Sequence, residues 1–343
     1  MGARMGNEQF DYDAYKPRIA VVGCGGQGSN LVNRLSRYGM QSADKIAINT
    51  DIAHLNIIKA DKKLLIGKSI TNGLGAGGFP EVAERCAEVS KEEIRQALEG
   101  YSLVFIAAGM GGGTGTGSAP IVAHIARECG ATVIATVTYP FALERSRKVK
   151  AEWGIERLNK EADCTIVVEN DKLLSYVPNL PMDKAFEFVD NITGNAVKGI
   201  SDTIYFPSLI NLDFADLNTV VRNTGTAVIS LGSGKGPGRV EQAVKSTLAH
   251  PLLSVENEGA KGALIQITGG ANLTISEATE IANGVTEGVA GDANVIFGAR
   301  MLPELGEEIR VMSIVTGVKA KFGERKLNAN ATPMRLEALQ SIY

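Results

Sequence analysis

The sequence is poor in the residues on which many catalytic and metal sites depend. It has four cysteines, three histidines and one tryptophan in 343 residues. The cysteines lie far apart and form no CxxC pair, which argues against a zinc ribbon or a redox dithiol. Reduced thiols in a cytoplasmic protein are the simplest interpretation. Lys and Arg total 35 against 38 for Asp and Glu, so no basic excess indicates nucleic acid as a partner.

Long apolar runs are also missing. No stretch approaches the roughly 18–20 residues that cross a bilayer, and residues 1–13 are polar and acidic, unlike a signal peptide. We therefore expect a cytoplasmic location without direct membrane insertion. Hydrophobic residues make up 44% of the chain, which is enough for a large core. The length suggests two domains of ordinary size.

The first half of the sequence alternates between strand and helix patterns. This alternation predicts an α/β fold whose first domain has a Rossmann-like parallel sheet covered by helices on both faces. The apolar runs that predict its buried strands are 18–22, 45–50, 103–108, 132–137 and 164–168.

A long helical pattern separates this half from the next. Apolar residues at three- and four-residue steps from Asp183 to Tyr205 predict a helix of about 35 Å. We interpret it as a central helix, because strand-like runs resume after Pro207 and predict a second, smaller α/β domain. The predicted boundaries are 1–16 for an N-terminal extension, 17–182 for the first domain, 183–205 for the helix, 206–322 for the second domain and 323–343 for a short tail.

Glycine is the residue in excess, and its 39 copies are clustered. Residues 23–28 follow the first strand, fit GxGxxG and open a helix, where backbone N–H groups can bind a phosphate. Asp51 ends the second strand, close to the position of the acidic ribose contact in dinucleotide folds. Taken alone, these features favour an NAD site, with a tight strand–helix turn as the alternative.

A second glycine loop, 109–118, follows the third predicted strand. Five of the seven residues from Gly111 to Gly117 are glycine and two are threonine. Such a segment buries little apolar surface and costs much ordering entropy, so we interpret it as a di- or triphosphate site. Pro120 is expected in the first turn of the helix that follows. No GxxxxGK[ST] motif occurs, which excludes a P-loop protein.

A third glycine cluster, 73–78, predicts a further flexible loop. It could close over a terminal phosphate, or it could be a plain surface loop.

The loop from Gly111 to Gly117 resembles the defining loop of the tubulin/FtsZ superfamily. The sequence from Pro17 to Gly317 resembles the prokaryotic cell-division branch of that family, in an archaeal form. The resemblance implies a GTPase that polymerises head to tail into filaments of the division ring at mid-cell. GTP or GDP and Mg²⁺ are the implied ligands, with Mg²⁺ held through the phosphates rather than directly by the protein. The implied partners are other copies of the chain and a membrane-anchoring adaptor, for which residues 334–343 could be a docking segment.

The resemblance also implies roles for single residues. Glu144 would contact the ribose, Phe186 would stack on guanine, and Asp190 would accept hydrogen bonds from guanine N1 and N2. Arg147 and Lys148 both remain candidates for one basic contact. The full implied nucleotide-binding set is Gly25, Gly26, Gln27, Gly28, Ser29, Asn30, Asp51, Gly77, Gly78, Gly109, Gly111, Gly112, Gly113, Thr114, Gly115, Thr116, Gly117, Pro140, Glu144, Arg147, Lys148, Asn170, Phe186 and Asp190.

Asp213 and Asp216 are the candidate catalytic acids, together with Asn211 in the same segment. The two aspartates share a face if a helix begins there, and paired carboxylates can orient and polarise a water. The alternative is that they are ordinary helix-start acids. The resemblance implies that they act on the nucleotide of a neighbouring subunit, through head-to-tail contacts that do not close and so build filaments.

Two other functions stay open at this point. An NAD-dependent oxidoreductase would use the GxGxxG loop, but it leaves the second glycine loop unexplained. It also lacks an obvious proton-transfer group, because His54, His124 and His250 are scattered along the chain. A tubulin-like scaffold that shapes cells rather than dividing them is the other alternative.

Overall fold

The computed structural model describes residues 16–172, 181–205, 210, 213–249, 252–253, 255–256 and 260–320. Twelve strands are found in these parts of the chain. They are β1 (Ile19–Cys24), β2 (Asp44–Asn49), β3 (Lys62–Leu65), β4 (Leu103–Gly109), β5 (Thr132–Tyr139), β6 (Cys164–Glu169), β7 (Gly225–Lys235), β8 (Val255–Glu256), β9 (Gly262–Gly269), β10 (Asn294–Met301), β11 (Glu308–Thr316) and β12 (Lys319–Ala320).

Helices precede or follow most of these strands. In the described parts they are α1 (Gly25–Arg37), α2 (Ile52–Ile57), α3 (Lys68–Thr71), α4 (Pro80–Val89), α5 (Lys91–Leu98), α6 (Thr114–Glu128), α7 (Arg145–Glu161), α8 (Met182–Tyr205), α9 (Phe214–Val221), α10 (Arg239–Ala249) and α11 (Ile275–Thr286). Within these described segments, no helix is long and apolar enough to cross a bilayer.

Ten of the strands form one sheet in the order β10-β9-β11-β7-β6-β5-β4-β1-β2-β3. Every neighbouring pair from β3 to β7 is parallel, and β11 is antiparallel to both β7 and β9. Parallel strands buried on both faces consist of apolar residues throughout, which is why the five strands predicted in the first half coincide with β1, β2, β4, β5 and β6. The predicted α/β fold with a parallel sheet is therefore confirmed.

The second half is not a separate sheet. β7 pairs with the start of β6, with Cys164 opposite Gly225 and Ile166 opposite Ala227. One apolar cluster also runs across this junction and includes Ile166 together with Ile229 and Ile314. The two predicted α/β halves thus share a sheet and part of a core.

The helices cover the sheet on both faces. One cluster joins α1 and α8 to the sheet, and a second joins α4, α5, α6 and α7 to its other face. A third cluster packs α10 and α11 on the strands of the second half.

The predicted central helix is α8. Its 24 residues span about 36 Å at about 1.5 Å per residue. Near its end, the Asp202 carboxylate accepts from Ser42 Oγ at 2.6 Å and lies 3.3 Å from Arg300 Nη1, so α8 is tied to both halves. Asp183 at the predicted start is a residue type that commonly caps helices, but its side chain lies outside the described residues.

Two helices begin earlier than the sequence pattern predicted. The apolar pattern predicts helices that start at residues 29 and 119, whereas α1 starts at Gly25 and α6 starts at Thr114. The expectation that Pro120 lies in the first turn is therefore wrong, because it is the seventh residue of α6. Apolar periodicity does not extend into a Gly/Thr segment, although such a segment adopts helical backbone when a neighbouring loop packs on it.

The contact between β7 and α10 gives a test of the packing. A Cβ on Gly232 would lie 2.2 Å from Thr247 Oγ1 and 2.4 Å from Thr247 N. Gly232→Ala should lower the free energy of unfolding by about 1–3 kcal/mol or more through overpacking. Gly288→Ala, whose Cβ would meet no atom within 4 Å, should change it by less than about 0.5 kcal/mol. Urea unfolding followed by circular dichroism measures both, and equal midpoints would contradict the described contact.

Candidate functional site

The site is built at the carboxyl ends of β1 and β4, which are parallel neighbours with Cys24 opposite Ala108. From β1 the chain crosses to β2 on one side, and from β4 it crosses to β5 on the other. Such a reversal of strand order leaves a crevice outside the strand ends, where ligands bind in α/β sheets. Here α1 and α6 both begin, and their N-termini face the same crevice.

Close backbone contact joins the two loops. A Cβ on Gly25 would lie 2.6 Å from Gly115 N, and one on Gly28 would lie 2.1 Å from Ala107 O. A Cβ on Gly115 would lie 2.9 Å from the carbonyl oxygen of Gly109. Any side chain at these positions would clash with neighbouring backbone, and Gly25 also has φ +73°, so glycine is required here by close contact and, at Gly25, by the backbone conformation as well.

Other glycines in the same loops face open space. A Cβ on Gly26 or on Gly112 would meet no atom within 4 Å. Gly113 is the N-cap residue of α6, and as a glycine it has no side chain that could cap the helix. The first-turn N–H groups of α6, including those of Thr114 and Gly115, have no partner inside the helix and suit an anion.

Several of the predicted nucleotide-binding residues do not face this open space but hold the loops together. Thr116 is fully buried, and its Oγ1 accepts from Gly111 N at 2.9 Å, where Gly111 has φ +96°. A Cβ on Gly117 would lie 2.0 Å from Pro80 O, so Gly117 packs on α4. Gly109 packs on Gln27, since a Cβ there would lie 2.0 Å from Gln27 Oε1. Ser29 is fully buried in α1.

The third glycine loop lies against the second. A Cβ on Gly113 would lie 3.1 Å from Gly78 N, and Gly77 and Gly78 both have positive φ. Lys150 Nζ donates to Gly78 O at 2.7 Å and lies 5.5 Å from the centroid of the Phe79 ring. The loop is therefore part of this site rather than a remote surface loop. Lys150 carries no sequence motif and was not predicted.

A fourth segment follows Pro140 at the end of β5. Glu144 accepts from Phe141 N at 3.2 Å and from Arg147 Nη1 at 2.5 Å. Arg147 lies beside the second loop, since a Cβ on Gly111 would be 2.7 Å from Arg147 O. Lys148 Nζ instead lies 5.6 Å from the centroid of the Tyr139 ring. Of the two basic candidates, Arg147 is the one placed next to the glycine loops.

Three polar residues complete this edge of the sheet. Asn170 follows β6 and is 5% exposed, and no described group hydrogen-bonds to its Oδ1. Asp51 caps α2 by accepting from His54 N at 3.1 Å, so one of its carboxylate oxygens is already used within the protein. Thr50 Oγ1 lies 2.8 Å from Thr114 Oγ1 and ties the end of β2 to the second loop.

A cluster of polar side chains joins α1 to α8. Arg34 Nη2 lies 3.5 Å from Asp190 Oδ2, and Arg34 Nη1 donates to Asn191 Oδ1 at 3.0 Å. Burial raises the pKa of the Asp190 carboxyl to about 6, and the charge of Arg34 offsets only part of that rise. Gly26, Asn30 and Arg34 recur at four-residue steps on α1, a spacing that could have identified Arg34 from the sequence. The side chain of Phe186 lies outside the described residues.

The catalytic candidates lie elsewhere in the chain. Asp213 caps α9 and its Oδ1 accepts from Asp216 N at 2.6 Å, so the two acids share the first turn of a helix. α9 packs on β9 and β10. The preceding helix α8 ends at Tyr205, whose ring lies 4.8 Å from Lys16 Nζ near the amino end of β1. The structure therefore does not bring these acids to the glycine loops, and Asn211 lies outside the described residues.

Comparison with known proteins identifies both halves of the chain. Residues 18–178 match the GTPase domain model of the Tubulin/FtsZ family, and residues 225–319 match the C-terminal domain model of the FtsZ family. Cell division protein FtsZ 2 of Methanocaldococcus jannaschii is 54% identical over 306 residues, which cover 88% of this chain and 80% of that protein. Cell division protein FtsZ 2 of Haloferax volcanii is 51% identical over 313 residues, covering 91% and 78%.

Solved structures agree with these matches. An empty FtsZ dimer from M. jannaschii superimposes with a TM-score of 0.85 at 43% identity, covering 91% of this chain and 94% of that one. The protofilament structure of CetZ2 from H. volcanii, with a TM-score of 0.77 at 22% identity, shows the fold alone. These findings do not favour an NAD-dependent oxidoreductase. With both family domains in order and relatives above 50% identity, the chain belongs to the tubulin/FtsZ family and to its FtsZ branch of cell-division GTPases.

Proposed function

We propose that this chain binds GTP at the paired glycine loops and polymerises head to tail, and that each copy hydrolyses the nucleotide of its neighbour within a division filament. The open space at Gly26 and Gly112, beside two helix N-termini, is the observation that carries the proposal. Residues 17–182 would bind the nucleotide, 183–205 would span the molecule, and 206–322 would supply the acids.

The phosphates would lie against the N-termini of α1 and α6. Each helix N-terminus offers unpaired N–H groups and about half a positive charge, which together suit a polyphosphate. Arg147 and Lys150 add cationic side chains beside the second and third loops. Mg²⁺ would be held by phosphate oxygens and would offset their charge. The described residues contain no group of three or more His, Cys, Asp or Glu that could hold a metal.

The polar cluster between α1 and α8 would contact the base. Asp190 is 13% exposed, and its carboxylate can accept two hydrogen bonds from the N1 and N2 groups of guanine. Adenine offers no such pair of donors. Asn170 Oδ1, which is buried and without a described partner, would accept a further hydrogen bond from the nucleotide at the edge of the sheet. Guanine rather than adenine is therefore the base whose donors match this cluster.

Separation of the acids from the loops supports catalysis between copies. The glycine loops leave the carboxyl ends of β1 and β4, whereas α8 ends beside Lys16 near the amino end of β1. The sixteen residues of α8 from Asp190 to Tyr205 span about 22 Å at about 1.5 Å per residue. Asp213 and Asp216 follow that end of α8, so they would meet the phosphates of another copy rather than their own.

Exposed apolar side chains around the loops support the head-to-tail contact. Leu74 is 85% exposed and Leu143 is 93% exposed, and Phe79, which follows the third glycine loop, and Val149 of α7 are also exposed. Apolar side chains grouped on one face of a protein mark an interaction surface. A second copy that covered this face would bury them and bring its own acids to the nucleotide. Recruitment to the membrane at mid-cell would use an adaptor protein bound to residues 334–343, which lie outside the described residues.

Guanine binding should depend on pH. The raised pKa of Asp190, about 6, means that the carboxyl takes up a proton as pH falls through this value. Because guanine N1–H and N2–H groups need the ionised form, GTP affinity should be full above about pH 7 and should fall up to tenfold per unit below about pH 6. Calorimetric titration from roughly pH 5 to 7.5 measures this change. Asp190→Asn, which cannot ionise, should bind GTP at least about tenfold more weakly with no pH dependence in this range. A flat wild-type profile would count against Asp190 as the base contact.

Hydrolysis should require contact between copies. Phosphate release per molecule should rise steeply with protein concentration in GTP and Mg²⁺, because the complete site forms only at the interface. Leu143→Glu places a charge on the exposed face, and it should keep GTP binding while lowering both light scattering and turnover. A rate per molecule that is independent of protein concentration would rule out the shared site.

The helix cap and the chemistry of Asp213 can be separated by one substitution. Asn caps a helix about as well as Asp, so Asp213→Asn should keep GTP binding and the free energy of unfolding. Loss of the carboxylate should still lower turnover by about 100-fold or more, and Asp216→Ala should do the same. Single-turnover phosphate release and urea unfolding measure these effects. Normal turnover in Asp213→Asn would leave this residue with a capping role only.

A further inference from the structure

One hydrogen-bond chain beside the site has a fixed direction. It begins at Asn49, whose Oδ1 lies 2.8 Å from Thr50 N and 3.4 Å from Asp51 N. A backbone N–H can only donate, so the atom facing both groups must be the amide oxygen. Asn49 Nδ2 therefore faces the other way, and it lies 3.3 Å from His54 Nδ1.

This direction fixes the tautomer of His54. Because Asn49 Nδ2 donates, Nδ1 of the ring accepts, and the proton of the neutral imidazole is on Nε2. His54 Nε2 lies 3.1 Å from Asn30 Oδ1 and donates to it. The amide of Asn30 is thereby oriented with Nδ2 away from the ring. Within the described parts of the chain, Asn30 Nδ2 has no hydrogen-bond partner.

Asn30 lies where the two parts of the proposed nucleotide site meet. It is four residues after Gly26 and four before Arg34, so the three share one face of α1. Gly26 faces the open space at the phosphate end, and Arg34 contacts Asp190 at the base end. The two N–H groups of Asn30 Nδ2 are thus available as donors between the phosphate end and the base end of the proposed site.

We propose that His54 is a positioning residue for nucleotide binding, which holds the amide of Asn30 so that its N–H groups face the bound guanine nucleotide. Asn49 sets the tautomer that makes this possible. His54 itself does not touch the nucleotide. The inference rests on the proposed function, since it assigns a role in the GTP site to a histidine that reaches that site only through Asn30.

The test uses affinity for GTP, measured by calorimetry below the concentration at which the protein assembles. His54→Ala should weaken GTP binding about five- to tenfold, because the freed Asn30 amide must be ordered again on binding. His54→Gln, whose amide can donate to Asn30 Oδ1, should restore most of the affinity. His124→Ala, which removes a histidine on α6 that pairs with Glu128 and Glu161, should leave affinity unchanged. Turnover at saturating GTP should be the same in all three variants.

A double-mutant cycle decides whether His54 acts through Asn30. In an Asn30→Ala background, His54→Ala should weaken binding no further, whereas independent roles would give additive losses. Nitrogen NMR of the three histidines, assigned by the same substitutions, should show His54 protonated on Nε2. Additive losses, unchanged affinity in His54→Ala, or a proton on Nδ1 would each overturn the inference. Failure of the wild-type chain to bind GTP would instead refute the proposed function.

Discussion

The close approach of two backbones, at the ends of β1 and β4, is the constraint on which the site depends. With Gly25 against Gly115 and Gly28 against Ala107, a single added methyl group would push α1 and α6 apart. Two helix N-termini can meet only where side chains are absent, and together they concentrate partial positive charge on one crevice. The glycines are therefore a geometric requirement, and the ordering entropy they cost is offset by the tight packing of the loops.

A site built from helix N-termini can bind a polyphosphate without being able to cleave it. Backbone N–H groups stabilise negative charge, but they do not orient or activate a water. In this chain the acids suited to that task follow α8, a rigid helix of about 36 Å whose far end is tied to both halves through Asp202. Since one sheet and one apolar cluster join the halves, bending the chain would not easily close this distance. The same separation that makes the isolated copy a poor catalyst makes an assembled pair a complete one in the function we propose.

Sequence patterns predicted the strands and the positions of the glycine loops better than the packing between them. Buried parallel strands are apolar runs, and the glycine loops stand out by composition. The early starts of α1 and α6 were missed because glycine and threonine are weak helix formers, and only contact with a neighbouring loop makes them helical. The continuous sheet was missed because β6 and β7 pair over only three residues, which leave no trace in either strand's pattern. Contacts such as Arg34 with Asp190, or His54 with Asn30, join distant residues and belong to no motif.

The Arg34–Asp190 pair explains how the polar cluster between α1 and α8 could select guanine. A carboxyl buried alone would be neutral near pH 7, and a neutral carboxyl could not accept two hydrogen bonds from guanine. Arg34 offsets enough of the burial cost for the pKa to stop at about 6, so the carboxylate stays ionised at neutral pH although it remains poorly solvated. Guanine N–H donors would relieve that cost, whereas adenine would leave the remaining cost of burying the charge in place. Guanine would then be selected less by its own attraction to Asp190 than by the cost of burying that carboxylate, which adenine would not relieve.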